Sequence, residues 1–179
     1  MIVGLSGYAQ VGKDTVANYL VEHYGFVKVS FADPIRQALY RLNPIVSLGE
    51  FSGVHLSQAV DGLGWEEVKR QSPETRRLLQ VLGTEVGREM FGEDFWVNQG
   101  LKKVSEHENV VFADTRYENE ARAIQANGGQ IWRITKPDHG PVNGHSSETA
   151  LDEYVFDWYI PNYGGVKELH GLVDAIMHG

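Results

Sequence analysis

The chain has 179 residues, no cysteine, and 16 basic against 24 acidic side chains, for a formal charge of -8. That length suits one ordinary domain with a buried core, and the absence of thiols excludes disulfides, thiolate metal sites and thiol catalysis. An acidic balance without any basic block disfavours a nucleic-acid surface, and no apolar run approaches the roughly 18 residues of a membrane span. A core strand follows Met1 directly, leaving no room for a signal peptide, so a soluble cytoplasmic protein is expected.

The first element is the apolar run Ile2 to Leu5, which meets Gly7, Gly12 and Lys13 and then a helical pattern carried by Val16, Leu20 and Val21. Gly7-x4-Gly12-Lys13 between a strand and a helix is the spacing of a Walker A phosphate loop. Its small residues let consecutive backbone N–H groups converge on phosphate oxygens while the lysine reaches the transferring phosphate. The positive end of the following helix adds to the attraction. A hydroxyl usually follows the lysine to hold magnesium; here Asp14 follows it, with Thr15 one residue later. A glycine-rich turn can be purely structural, but glycine spacing, lysine and strand-before-helix context agree on a nucleotide.

Gly25 is placed to end the first helix, and Phe26 to Phe31 alternates as a second strand. Asp33-Pro34 reads as a cap with proline at the first helical position, opening a helix through Ile35, Arg36, Leu39 and Tyr40 that Asn43-Pro44 closes. From Ile45 to Gly64 the chain is polar, glycine-bearing and without sustained period, so a mobile insertion is expected there. Ser72-Pro73-Glu74-Thr75 starts a helix whose apolar side runs through Leu78, Leu82, Val86 and Met90; Gly83 interrupts it and marks a close approach. A shorter helix from about Glu93 to Ser105 would bury Phe95, Trp96, Leu101 and Val104. Val110 to Ala113 is a buried-type third strand delivering Asp114 and Arg116 at its carboxyl end, where an open parallel sheet places its ligands. Tyr117 to Ala126 reads as a helix and Gln130 to Thr135 as a fourth strand. A polar loop then leads to a short fifth strand, Asp157 to Ile160, and a last helix from about Val166 to Met177. This alternation implies an α/β fold with right-handed crossovers and a parallel sheet covered on both faces.

Four segments, GKDT, FADPIR, RRLLQVLGTEVGREMFGEDFWV and DTRYENEARA, follow one another in that order. Through them the chain resembles the bacteriophage deoxynucleoside monophosphate kinases over nearly its whole length. The resemblance implies a P-loop NTPase fold of the nucleoside monophosphate kinase type, with a five-stranded parallel sheet in the order 2-3-1-4-5, helices on both faces and a short lid. It further implies a single domain over 1–179, with a monophosphate-binding insertion at about 32–106 and a lid loop at about 136–148. Carried over residue by residue, Gly7, Gly12, Lys13, Asp14, Thr15 and Lys136 would hold ATP, with Asp14, Thr15 and Asp114 close to Mg2+. The deoxynucleotide would meet Ile35, Arg36, Arg76, Arg77, Gly83, Thr84 and Trp96, together with Asp114, Arg116 and, more loosely, Glu120. Lys13, Arg116 and Arg36 would carry the catalytic charge, and a homodimer is implied as well.

Each residue also has an ordinary reading. Asp33 fits a helix cap, and Arg76 or Arg77 could pair with Glu74, although two arginines at a helix start oppose the dipole and favour phosphate binding for one of them. By default Trp96 is core, and Arg133, inside a strand, reads as solvated or cross-strand. His145, Ser146 and Glu148 read as a helix cap rather than a triad, and no histidine spacing suits a metal. The best reading is transfer of the ATP γ-phosphoryl to a deoxynucleoside monophosphate. Two others stay open: a kinase of another phosphorylated metabolite such as dephospho-coenzyme A, and a nucleotide-driven motor or switch.

Overall fold

The computed structural model describes residues 1–141 and 149–179. Its elements run β1 (Ile2–Ser6), α1 (Lys13–Tyr24), β2 (Val27–Val29), α2 (Asp33–Leu42), β3 (Ile45–Leu48), β4 (Phe51–His55), α3 (Leu56–Gln71) and α4 (Pro73–Val81). A π-helix (Leu82–Met90) follows, then α5 (Phe95–Leu101), a 3-10 turn (Val104–Glu106), β5 (Val110–Phe112), α6 (Glu118–Ala126), β6 (Gln130–Thr135), β7 (Trp158–Pro161) and α7 (Val166–His178).

Five of the strands pair in the order β2-β5-β1-β6-β7, all parallel, which is the 2-3-1-4-5 order implied by the resemblance. β1 is central and buried along its length, and its alternating side chains divide between two cores. Val3 and Leu5 join Trp132 and Ile134 against α1 and α7; Ile2 joins Val29, Phe112 and Ile131 against α5 and α6. Gly4 lets α6 come close, since a Cβ there would lie 2.7 Å from Ile124 Cδ1.

Chain contacts divide the protein into two compact units, one formed by Met1–Phe31 with Val97–Gly179 and the other by Ala32–Trp96. The second unit has its own core, where Leu39, Val46, Leu48, Leu56, Ala59 and Val68 are buried beside the antiparallel pair β3-β4. The expected mobile insertion at 45–64 is therefore corrected: it is a hairpin followed by most of α3. Val46 and Leu48 alternate inward over only four residues, and Gly49 (φ +56°) and Gly64 (φ +77°) make a turn and a kink, so no long period could emerge.

Smaller corrections follow the same logic. The second strand keeps only Val27–Val29, and the helix expected from Glu93 to Ser105 is α5 plus a separate 3-10 turn. Ala32, not Asp33, holds the position before α2, and Asp33 pairs with Arg36 at 3.0 Å. Ser72 does cap α4, accepting from the Thr75 N–H at 3.2 Å, and Gly25 ends α1 in the left-handed conformation. Of the loop expected to be a lid, Lys136 to Pro141 is described; its remainder, with His145, Ser146 and Glu148, lies outside the described residues. Among the described residues no helix is long and apolar enough to cross a membrane.

Candidate active site

The loop between β1 and α1 has the geometry its glycines foretell. Gly7 has φ +141° and Gly12 φ +111°, and a Cβ on Gly7 would come within 2.3 Å of the Ile134 carbonyl oxygen. Lys13 Nζ donates to the carbonyls of Gly7 and Tyr8, each at 2.7 Å, so the ammonium lies over the loop rather than in solvent. From the far side Asn162 Nδ2 donates to the Val11 carbonyl at 2.9 Å and pins the loop. Thr15 is half-buried at the start of α1. Asp14 is exposed and faces outward, accepting from Lys28 Nζ at 2.7 Å.

Next to β1 in the sheet, β5 ends in Ala113-Asp114-Thr115-Arg116. Asp114 accepts from the Phe31 N–H at 3.1 Å and from the Ser30 hydroxyl, which ties the end of β2 to the end of β5. Thr115 continues the pairing by donating its N–H to the Leu5 carbonyl, while its own hydroxyl is buried without a partner among the described residues. Arg116 is exposed, but its backbone is fixed: Glu120 Oε2 accepts from the N–H of Arg116 at 2.7 Å and of Tyr117 at 3.1 Å. Glu120, expected near the substrate sugar or base, is thus buried as the third residue of α6 and caps that helix.

A small cavity of about 20 Å³ joins these parts, lined by residues that include Gly7, Lys13, Thr115, Arg116, Arg133 and Leu151. Of the two ordinary roles expected for Arg133, solvated or cross-strand, the structure shows the cross-strand one, at the rim of this cavity. It is 8% exposed and not solvated; its Nη1 donates to Ser6 Oγ at 3.2 Å and its Nη2 to Asp152 Oδ1 at 2.8 Å. The other Asp152 oxygen accepts from Tyr8 OH at 2.9 Å, and burial together with this bond pushes the Tyr8 phenol above its ordinary range. The available signal was register: Arg133 faces Ser6 across the sheet at the mouth of the phosphate loop.

Within the Ala32–Trp96 unit three of the expected acceptor residues do come together. Trp96 Nε1 donates to the Gly83 carbonyl at 3.1 Å, and a Cβ on Gly83 would lie 3.3 Å from Ile35 Cδ1. Here the helix changes pitch, because α4 gives way to the π-helix; such wide turns are frequent at functional sites. Thr84 is exposed on its first turn. Arg36 is held by Asp33 and lies 4.0 Å from Glu66. Arg76 Nε donates to the Lys69 carbonyl at 2.5 Å, whereas Arg77 makes a two-bond pair with Glu74 and holds that carboxyl below its ordinary range. Lys136 is exposed just beyond β6.

The sequence model of one family, described as deoxynucleotide monophosphate kinase, matches residues 66–173. A relative in Acanthamoeba polyphaga mimivirus is 29% identical over 97% of this chain and 94% of its own. The deoxynucleotide monophosphate kinase of Enterobacteria phage T4 is 25% identical over 96% of each. Among solved structures, a dephospho-CoA kinase from Campylobacter jejuni superposes with a TM-score of 0.50 at 13% identity, covering 99% of this chain and 96% of that one. At that identity the likeness speaks for the fold alone.

Proposed function

The chain belongs to the deoxynucleotide monophosphate kinase family, and on that premise we propose that it moves the γ-phosphoryl of ATP to a deoxynucleoside monophosphate, giving ADP and the diphosphate. The observation that carries the reading is the Gly7 to Lys13 loop beside the end of β5, so that Lys13 and Arg116 border one cavity. The acceptor is an anionic phosphate oxygen and needs no general base. It attacks the γ-phosphorus as the bond to the bridging oxygen breaks, and ADP leaves with the electron pair. Catalysis then rests on in-line placement and on charge neutralisation by Lys13, Arg116 and Arg36.

Magnesium fits the donor set. Among the described residues no three acidic or histidine side chains form a metal cage, and magnesium prefers one or two carboxylates plus phosphates and water. The Thr15 hydroxyl and the Asp114 carboxylate would hold it, with Asp14 alongside once it leaves Lys28. The ion would offset phosphate charge. A magnesium titration of Asp14→Asn tests that part: an unchanged requirement removes Asp14 from the set.

For the acceptor, the cluster of Ile35, Gly83 and Trp96, with Thr84 beside it, suits a nucleoside, and Arg36 and Arg76 suit its phosphate. Arg76 is favoured over Arg77 because Glu74 already occupies the latter. Glu120 contributes by positioning Arg116, and Lys136 meets the ATP phosphates. We place this activity in the cytoplasm, the host's if the chain comes from a phage, and in a dimer, which sedimentation would test.

A coupled ADP assay over a panel of acceptors decides the function. ADP should form only when a deoxynucleoside monophosphate is present. ATP turnover independent of any acceptor would instead identify a motor or switch, and turnover with dephospho-coenzyme A a different kinase.

A further inference from the structure

Arg133 has no part in the activity as set out so far, yet it borders the same cavity as Lys13 and Arg116. A guanidinium taken out of water is costly unless its charge is matched and its donors are used. Asp152 matches the charge, but the bonds to Ser6 and Asp152 engage two of the five N–H donors. The group is also held in place: its carbon lies 4.9 Å from the Tyr8 ring centre and 5.4 Å from that of Phe156, and Tyr8 OH anchors the second Asp152 oxygen. Thr115, which lines the same cavity, has a buried hydroxyl without a partner among the described residues. The cavity, about 20 Å³, has room for about one water-sized group, which is the size of a single phosphate oxygen.

We propose that Arg133 is a further catalytic residue, donating to an oxygen of the terminal phosphate of bound ATP and sharing the charge that develops during transfer, with Asp152 and Tyr8 as its positioning residues. This rests on the reading of the chain as an ATP-using kinase. Asp152 lies between β6 and β7 and Tyr8 lies in the phosphate loop, so the brace holds Arg133 in one orientation before any nucleotide arrives. That is the pre-organisation which makes a charged donor effective in a transition state.

The test compares the wild-type chain with Arg133→Gln and Arg133→Lys. ATP and ADP binding are measured by calorimetry without acceptor, and turnover is measured with saturating ATP and deoxynucleoside monophosphate. Arg133→Gln should lower kcat by about 10²-fold and weaken ATP binding about tenfold, while ADP binding changes by less than about twofold. Arg133→Lys, which keeps the charge but not the fork, should fall between the two. Equal losses for ATP and ADP, or normal kcat, would overturn the proposal and leave Arg133 as a structural brace. If Arg133→Gln does not fold, Arg133→Lys carries the same comparison: selective loss of ATP binding supports the contact, and equal loss overturns it. The binding measurements need no acceptor, so the two readings fail separately. A wild-type chain that phosphorylates no deoxynucleotide, but loses its ATP preference in Arg133→Gln, would sink the kinase assignment and keep the phosphate contact.

Discussion

At Gly7 a side chain would collide with the Ile134 carbonyl, and at Gly87 a Cβ would fall 1.8 Å from Trp96 Nε1. Both glycines are there because something else must come close, but only the first belongs to a spacing that can be recognised in sequence. Gly87 looks like any helical glycine until residue 96 folds over it. Gly87→Ala should therefore push Trp96 away from the Gly83 carbonyl and raise KM for the deoxynucleotide about tenfold or more, with ATP binding unchanged. Tryptophan fluorescence and steady-state kinetics would check this, and an unaltered KM with a displaced Trp96 would remove the tryptophan from the acceptor site. Lys13→Ala makes the complementary case, since its ammonium lies over the loop through the Gly7 and Tyr8 carbonyls. A loss of about 10²–10³-fold in turnover at near-normal thermal stability is expected, the usual cost of deleting one charge-stabilising donor. Near-normal activity in the folded variant would mean that phosphate charge is met elsewhere.

Among the elements, α1 and α7 are joined by a polar clasp. Tyr24 OH donates to Asp174 Oδ1 at 2.6 Å and Tyr19 OH donates to the same carboxylate at 2.9 Å. The Asp174 bond, then burial, pushes the Tyr24 phenol up to about 12 from its ordinary value of 10.0, and the two phenols hold Asp174 below the ordinary carboxylate range. The signs follow. Tyr24 is raised, so its contribution is complete below pH 10 and is lost as pH climbs through about 12. Asp174 is depressed, so its contribution is present above its ordinary value of 3.8 and is lost as pH falls through its lower folded value. Denaturant melts between pH 9.5 and 12 should accordingly show a shallower alkaline fall for Tyr24→Phe than for the wild type; identical alkaline limbs would show that the bond contributes nothing. This clasp could not be foreseen, because Tyr24 and Asp174 are 150 residues apart. By contrast the main-sheet strands and the Ser72 cap were legible, each being decided by a few neighbouring residues. The β3-β4 hairpin was hidden by its brevity, and the π-helix by sharing the apolar pattern of the α-helix it continues.

For the molecule as a whole, the formal charge of -8 does not describe the proposed phosphate site, where Lys13, Arg116 and Arg133 border one cavity. Local arrangement decides anion binding, and such an arrangement shows in a chain only through a motif, which Lys13 and Arg116 had and Arg133 lacked. The division into units permits one further test of the proposed sites. The phosphate loop, Asp114 and Arg116 belong to the unit of Met1–Phe31 and Val97–Gly179; Ile35, Gly83 and Trp96 belong to Ala32–Trp96. A ligand stabilises the structure it binds by about 2.7 kcal/mol when present at 100 times its Kd, and amides that exchange only through opening of that structure slow roughly 100-fold. A non-hydrolysable ATP analogue alone should therefore slow exchange from Gly7 to Thr15 and at the end of β5. A deoxynucleoside monophosphate alone should slow it within Ala32–Trp96, most of all along Leu82–Met90, where the expected acceptor residues cluster around Gly83. With both bound, Lys136 to Pro141 should slow too, because a kinase must keep water from the γ-phosphate. Monophosphate protection confined to the first unit would place the acceptor away from Trp96 and overturn that half of the site while leaving the phosphate loop intact.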